Sequence, residues 1–214
     1  MNNKDNFAVI DLKLDFMNRV IFADQNATVR VCDTRFVEVI LTNIIGMPEI
    51  YTGSFGKCIW LSGDKDVAFC VRETFQVSMI DLSHDGFKVK DTFKMEESEE
   101  NLSDWSVDTK KMIFYFLLKN GVILCYDYKT KKTHTMKIEE KWLKMLFKEE
   151  RNFTALGLSS DFKFLAISGV VTYKEKKTNN IFLYKIDLDA KRDLKLSFVA
   201  QIATENNWEG SRGS

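Results

Sequence analysis

The sequence lacks an excess of charge of either sign. Its 214 residues include 31 lysines and arginines against 31 aspartates and glutamates, so the formal net charge is zero. Nucleic-acid-binding domains usually gather a basic excess on one face, so this balance argues against one while leaving room for a local basic patch. Two short lysine-rich runs, 129–132 and 174–177, fall in predicted turns without interleaved aromatic residues, and we interpret them as solvated loops.

Closely spaced cysteines are missing as well. The four cysteines are separated by 26, 12 and 55 residues: Cys32, Cys58, Cys70 and Cys125. Zinc sites normally contain close ligand pairs, so we expect no metal and no cofactor. Each cysteine lies in an apolar run, where a buried thiol acts as a small hydrophobic group. This usage predicts a reduced, intracellular protein.

Long apolar runs and catalytic motifs are also absent. The apolar stretches are well short of the ~20 residues of a membrane helix, and residues 1–15 have no signal-peptide core, so we expect a cytoplasmic protein without a membrane span. No GxSxG, HExxH or P-loop motif occurs. We therefore expect no enzyme activity and no small-molecule substrate. Four aspartates are assigned to turns, where aspartate is ordinary: Asp64, Asp66, Asp104 and Asp108.

Short apolar strands separated by polar turns fill most of the chain. Apolar residues make up 45% and 17 are phenylalanines, which is enough for a packed core. In the segment 19–40, strands are predicted at 20–23, 28–33 and 36–40. Three later segments repeat this layout, among them strands at Val67–Val71 and 181–188 and a 119–121 turn in which Asn-Gly favours positive φ. The repeat predicts an all-β fold of four-stranded antiparallel units at 7–41, 57–94, 101–138 and 153–202.

Three segments interrupt the repeat and supply the predicted partner-binding residues. Residues 139–152 have apolar residues at helical spacing, which predicts one inserted short helix. The acidic run 96–100 and the insertion 170–180 are predicted loops. Apart from these three, residues 43–56 form a connector that contains the single proline, Pro48. A helix packed on its own domain and solvated loops are the plainer interpretations. The candidate contact residues are Trp142, Met145, Leu146, Phe147, Glu97, Glu99, Tyr173 and Lys176.

Several of these strands resemble the repeats of WD-repeat β-propellers. The segments 28–33 (TVRVCD) and 121–127 (GVILCYD) are similar to the family's third strand, with Cys or Tyr in place of Trp, and 158–166 (LSSDFKFLA) is similar to its inner-strand, turn and second-strand sequence. The aspartates that end the third strands are 48, 46 and 60 residues apart: Asp33, Asp81, Asp127 and Asp187. The first two gaps fit the family period of roughly 40–50, and the insertions at 139–152 and 170–180 lengthen the third. Because the Gly-His and Trp-Asp dipeptides are missing, we expect apolar packing to hold the blades together.

The resemblance implies about four blades over residues 1–208. Residues 209–214 are small and polar, and we expect them to form a flexible tail. WD-type propellers usually close with seven blades, and this chain runs from an inner to an outer strand, so we expect an open or partial propeller, completed by a protein partner or by more blades. The inserted helix covering the open edge is an alternative. The implied function is a non-enzymatic scaffold of a cytoplasmic, cytoskeletal or ciliary assembly. A propeller-type hydrolase and an RNA-binding subunit remain alternatives.

Overall fold

A computed structural model describes residues 9–14, 19–24, 29–33, 41–43, 59–61, 67–71, 75–83, 88–95, 102–137, 151–173 and 176–204, all in strands, turns and short connections. Sixteen strands lie in these ranges: β1 (Val9–Leu14), β2 (Arg19–Asp24), β3 (Val29–Asp33), β4 (Leu41–Asn43), β5 (Ile59–Leu61), β6 (Val67–Val71), β7 (Gln76–Asp81), β8 (Lys88–Lys94), β9 (Leu102–Asp108), β10 (Ile113–Leu118), β11 (Val122–Asp127), β12 (Lys132–Lys137), β13 (Arg151–Leu158), β14 (Phe164–Tyr173), β15 (Lys176–Leu188) and β16 (Leu194–Thr204).

Each run of four consecutive strands forms one antiparallel sheet, with the strands side by side in chain order. We call them the first (β1–β4), second (β5–β8), third (β9–β12) and fourth (β13–β16) sheets. The prediction of an all-β fold built from four-stranded antiparallel sheets is confirmed for the described residues. The strand predicted at Val67–Val71 is β6, and the strand predicted at 181–188 lies within β15.

The first compact unit, Met1–Ser98, contains the first and second sheets. The described core of the second sheet is apolar except for Ser78, with Ala68 and Val77 fully buried. Arg19 in β2 is only 7% exposed and donates a hydrogen bond from its guanidinium to the carbonyl oxygen of Leu82, 2.5 Å away. A buried guanidinium needs such acceptors, so this contact links the first sheet to the segment after β7.

The outer strand of the first sheet differs from the prediction. The strand expected at 36–40 lies outside the described residues, and β4 is instead formed by Leu41–Asn43, paired with β3. Asn43, expected to begin the connector, therefore belongs to a strand; the rest of the connector, 44–56, is outside the described residues, as is the acidic loop 96–100.

The second compact unit, Glu99–Ser214, contains the third and fourth sheets. All six residues of β10 are buried, as expected for a continuously apolar strand covered on both faces. One face of the third sheet packs against the fourth sheet in a shared core that includes Tyr115, Leu117, Phe153 and Phe182. The rings of Phe153 and Phe182 lie 6.0 Å apart and tilted by 56°, an arrangement that aromatic pairs favour.

The hairpin between β10 and β11 requires glycine at one position. Gly121 has φ +84° and donates its backbone N–H to the carbonyl oxygen of Leu118 at 2.9 Å. Asn120 is not among the residues with positive φ; its side-chain oxygen accepts the N–H of Val122. The predicted positive φ is thus confirmed at glycine alone. A Cβ at Gly121 would lie 2.4 Å from Cε2 of Phe153, so glycine is needed for space as well.

Two predictions around the fourth sheet are corrected. Most of the helix expected at 139–152 lies outside the described residues, but Arg151 and Asn152 begin β13, opposite Val171 and Val170 in β14. The helical prediction is therefore wrong at those two positions. Helical spacing within 139–150 carries no information about where the next strand begins, because strand pairing is decided by the partner strand.

The insertion expected as a loop at 170–180 is instead the end of a long β-hairpin. Val170 pairs with Asn179, Thr172 with Lys177 and Tyr173 with Lys176. β-branched residues at 170–172 favour strands, and the polar residues of β15 obscured that signal. The loop prediction is wrong except at residues 174–175, which lie outside the described residues.

Candidate interaction surface

The predicted partner-binding residues fall in two groups. Tyr173 and Lys176 are paired at the end of the β14–β15 hairpin, so the structure brings these two together. The other six lie outside the described residues, and their roles stay predictions: Trp142, Met145, Leu146, Phe147, Glu97 and Glu99.

Polar contacts from β9 to β13 join the third and fourth sheets. Asp104 is 7% exposed; one carboxylate oxygen accepts the N–H of Leu156 at 2.7 Å, and the other accepts the N–H of Trp105 at 2.8 Å. The hydroxyl of Ser103 donates to the carbonyl oxygen of Phe153. These bonds satisfy backbone groups at the sheet boundary, where unpaired groups are costly.

A carboxylate–guanidinium pair forms the second polar link between these sheets. The guanidinium of Arg192, in the β15–β16 turn, donates to both carboxylate oxygens of Asp127 and, at 3.0 Å, to the carbonyl oxygen of Lys111. Burial acts to raise the pKa of Asp127, but hydrogen bonds from Arg192 and from the N–H groups of Lys129 and Thr130 outweigh it, so this pKa is lowered. The pair therefore stays ionised at neutral pH.

These links correct two expectations. The sheets of the second unit are held by apolar packing and also by buried hydrogen bonds, so reliance on apolar packing alone is wrong there. Asp104 lies inside β9 and accepts a hydrogen bond from β13, so its assignment to a turn is wrong. Asp108 ends β9, and its side chain accepts the N–H groups of Lys110 and Lys111, so the prediction of a turn aspartate is confirmed there. Asp64 and Asp66 are outside the described residues. The resemblance places Asp127 at the end of a third strand, whereas nothing in the sequence around Arg192 predicts a distant partner.

Cys125, which is buried, lies opposite the half-buried His134 in β11 and β12, and a cysteine beside a histidine is one arrangement used for nucleophilic catalysis. Burial raises the pKa of the Cys125 thiol far above its ordinary value, so the thiol stays protonated, and the thiolate is the reactive form. The prediction of a buried, core-type thiol is confirmed for Cys125. The side chains of Cys32, Cys58 and Cys70 are not among those that the structure describes, so for them it stays a prediction.

One face of the fourth sheet is left partly exposed by the part of the chain that the structure describes. Two rows of residues cross all four strands in register on this face, and none of the eight is buried: Ala155, Ser168, Ile181 and Ile202 in one row, and Gly157, Ala166, Leu183 and Ala200 in the other. We call these eight residues the open face.

Exposure along the described strands differs between the two sides of the fourth sheet. Ile181 and Ile202 are 38% and 54% exposed, whereas Phe182 on the opposite side is 1% exposed. A Cβ built on Gly157 meets nothing within 4 Å. Contiguous apolar patches on a protein surface commonly mark an interaction site.

No family model matches the chain, and no curated protein sequence is similar to it. Among solved structures, the chain is similar to part of the crystal structure of Chaetomium thermophilum Raptor, with a TM-score of 0.55 and 12% identity over 79% of this chain. The chain spans only 15% of the length of that protein. In all, 630 chains of solved structures match; at such low identity the likeness shows the fold alone.

Two further findings concern the described residues. None of them belongs to a helix long and apolar enough to cross a membrane. Within the same ranges, no three or more histidine, cysteine, aspartate or glutamate side chains are grouped so that they could hold a metal ion.

Proposed function

We propose that this chain is a non-enzymatic scaffold module of the WD-repeat propeller type, which presents a rigid β-sheet surface to a protein partner in a larger assembly. The observation that carries the proposal is the open face of the fourth sheet, a partly apolar surface on a densely packed unit. Rigid sheets with exposed loops and faces are suited to binding other proteins.

Three features support a propeller of degenerate WD-type repeats. Four sheets with the same strand order follow one another along the chain. Asp33, Asp81 and Asp127 each end the third strand of their sheet, as the resemblance implies, whereas Asp187 is the last residue but one of β15. In the second unit, the third and fourth sheets pack face to face, which is how radially repeated sheets cover one another.

The enzyme and RNA-binding alternatives gain no support from the described residues. The Cys125 thiol, whose pKa is raised by burial, is a poor nucleophile. In the lysine-rich run 129–132, the ammonium of Lys131 lies 3.6 Å from the centre of the Tyr128 ring, so this charge is engaged within the turn. A cytoplasmic assembly, cytoskeletal or ciliary in type, remains our proposal for location and role.

Cross-linking mass spectrometry of the complex purified from its native source tests the scaffold proposal. We expect reproducible cross-links between this chain and at least one other protein, with distances compatible with a folded second unit. Purification of the chain as a free monomer without cross-linked partners would refute the proposal, as would turnover of a substrate by the purified chain.

A further inference from the structure

The third and fourth sheets correspond residue by residue. In the third sheet, the N–H of Tyr128 donates to the carbonyl oxygen of Met112 at 3.0 Å; in the fourth, the N–H of Ile186 donates to the carbonyl oxygen of Lys163 at 2.8 Å. Both bonds join the end of a sheet's third strand to the start of its second. Met112 therefore corresponds to Lys163, and Tyr128 to Ile186.

Counting along the strands extends this correspondence to the open face. Tyr115 and Leu117 follow Met112 by three and five residues, and they correspond to Ala166 and Ser168, which follow Lys163 by the same distances. Cys125 and Ile123 precede Tyr128 by three and five residues, and they correspond to Leu183 and Ile181, which precede Ile186 likewise. In the third sheet these four residues belong to the core shared with the fourth sheet. The open face is thus the counterpart of the face on which one further sheet already packs.

We propose that the open face is the docking surface for a four-stranded antiparallel sheet of a partner protein, packed as the fourth sheet packs on the third. This inference rests on the proposed scaffold function and specifies where the partner binds. The interface within the second unit supplies the template, since the same sheet-on-sheet arrangement continues by one more step.

The composition of the open face indicates what the partner sheet carries. Ala166 and Ser168 stand where the third sheet has Tyr115 and Leu117, and Gly157 leaves open space above the backbone. Close packing against such small residues requires large apolar side chains from the incoming sheet. Two copies of the open face would bring small residues against small residues and leave voids, so a second copy of this chain fits poorly.

The polar anchors differ from those of the existing interface. Leu117 pairs with Asp104, and Ser168 pairs with Ala155, so the carboxylate that accepts the Leu156 N–H has no counterpart on the open face. The position of Asp127 corresponds to Lys185, which lies 2.8 Å from Asp187. An incoming sheet with an acidic residue at the position equivalent to Arg192 is therefore favoured over one with a basic residue.

The test uses the fourth sheet as a defined probe, because its covered face already packs on the third sheet. A second copy of residues 151–204, carrying Arg192→Glu so that an acidic residue meets Lys185, is joined by a flexible linker after residue 204 of the full chain. Gly157→Cys in the original sheet then reports coverage through its rate of thiol labelling, localised by mass spectrometry. A matched control carries Phe182→Lys in the added copy only, which places a charge on the packing face.

We expect Gly157→Cys to label rapidly in the chain without the added copy, and at least about tenfold more slowly with the intact copy attached. The Phe182→Lys control should restore rapid labelling. Equal rates with and without an added copy that is itself folded, as judged by its hydrogen-exchange protection, would overturn the proposal. Slow labelling of Gly157→Cys in the chain without the added sheet would also overturn the proposal if labelling became fast on dilution of the protein. That result would show that a second molecule of this chain covers the open face.

A second variant keeps the proposal testable if the added copy does not fold. Ile181→Lys in the full chain should leave the urea midpoint unchanged, because Ile181 is 38% exposed, and should reduce recovery of the cross-linked partner from the native source. A large loss of stability would mean that the face is already covered and would refute the inference. Partner cross-links that persist in Ile181→Lys and avoid Lys185 would refute the docking site while leaving the scaffold function intact.

Discussion

Replacing Gly121 by alanine tests whether the β10–β11 hairpin and the shared core of the second unit are coupled. Gly121 occupies the left-handed region, with φ +84°, and its Cβ would lie 2.4 Å from Cε2 of Phe153. Phe153 is 1% exposed and its ring contacts that of Phe182. The ring therefore has little freedom to move away, and the substitution acts on the backbone and on the core together.

Two contributions set the expected loss of stability. An L-residue in the left-handed region costs about 1–2 kcal/mol, and forcing an extra atom into a packed core costs about 1–3 kcal/mol. Gly121→Ala should therefore lower the free energy of unfolding by about 2–5 kcal/mol. For a chain of this size the middle of that range corresponds to a fall in Tm of roughly 10 °C.

Urea denaturation followed by circular dichroism measures the change, with Gly157→Ala as the matched control. Gly157 lies in the same unit, has no positive φ and has open space at its Cβ. The control should leave stability unchanged or raise it by about 0.4–1 kcal/mol. Repeating Gly121→Ala in a Phe153→Leu background separates the two contributions, because the smaller side chain relieves the clash and leaves the backbone strain of about 1–2 kcal/mol.

Equal effects of Gly121→Ala and Gly157→Ala would refute this reasoning, since the two positions would then be equivalent in backbone and in space. A full-sized effect of Gly121→Ala in the Phe153→Leu background would refute the steric part alone.

Three further predictions concern the polar links and the buried thiol. Arg192→Met removes the partner of Asp127 and should lower the free energy of unfolding by about 2–3 kcal/mol at pH 7. The pKa of Asp127 is lowered in the folded protein. The difference in unfolding free energy between the original chain and Arg192→Met should therefore be fully present above the ordinary aspartate pKa of about 3.9. It should shrink as pH falls through the lower pKa of the folded state, as measured by urea denaturation across pH. Asp104→Ala leaves the N–H of Leu156 unpaired and should cost about 1–3 kcal/mol in the same assay. Cys125, with its raised pKa, should resist thiol reagents in the folded protein and react only on unfolding, followed by mass spectrometry.

Each of these predictions has a contrary outcome. A difference between the original chain and Arg192→Met that stays constant down to pH 2 would show that the Asp127 charge is not involved. Asp193→Ala is the control for Asp104→Ala, because Asp193 lies at an exposed turn position; it should change the free energy of unfolding by less than about 0.5 kcal/mol. If Asp104→Ala had an equally small effect, the Asp104 carboxylate would have no specific role. Rapid labelling of Cys125 in the native state would mean that the shared core opens readily.

The local pattern of the chain was sufficient to predict the strands and their turns. Alternating or continuous apolar residues bounded by polar turns specified β6 and β11 to within a residue, because strand formation and turn chemistry depend on neighbours in sequence. The glycine of the 119–121 hairpin was predictable for the same reason, since the need for positive φ is local.

Pairing over long distances was not predictable in this way. The polar residues of 170–180 form a ladder only because β14 and β15 lie side by side, and the strand at 151–152 depends on its partners at 170–171. Arg192 reaches Asp127 across 65 residues, and nothing near Arg192 in the sequence marks that contact.

By itself the sequence determined the all-β class, the succession of four-stranded units and the apolar character of their cores. Only the tertiary structure decided which carboxylates are buried between sheets and which face of the fourth sheet is left open. The physical reason is that side-chain alternation assigns residues to two faces of a strand, whereas coverage of a face depends on which other sheet comes to lie against it.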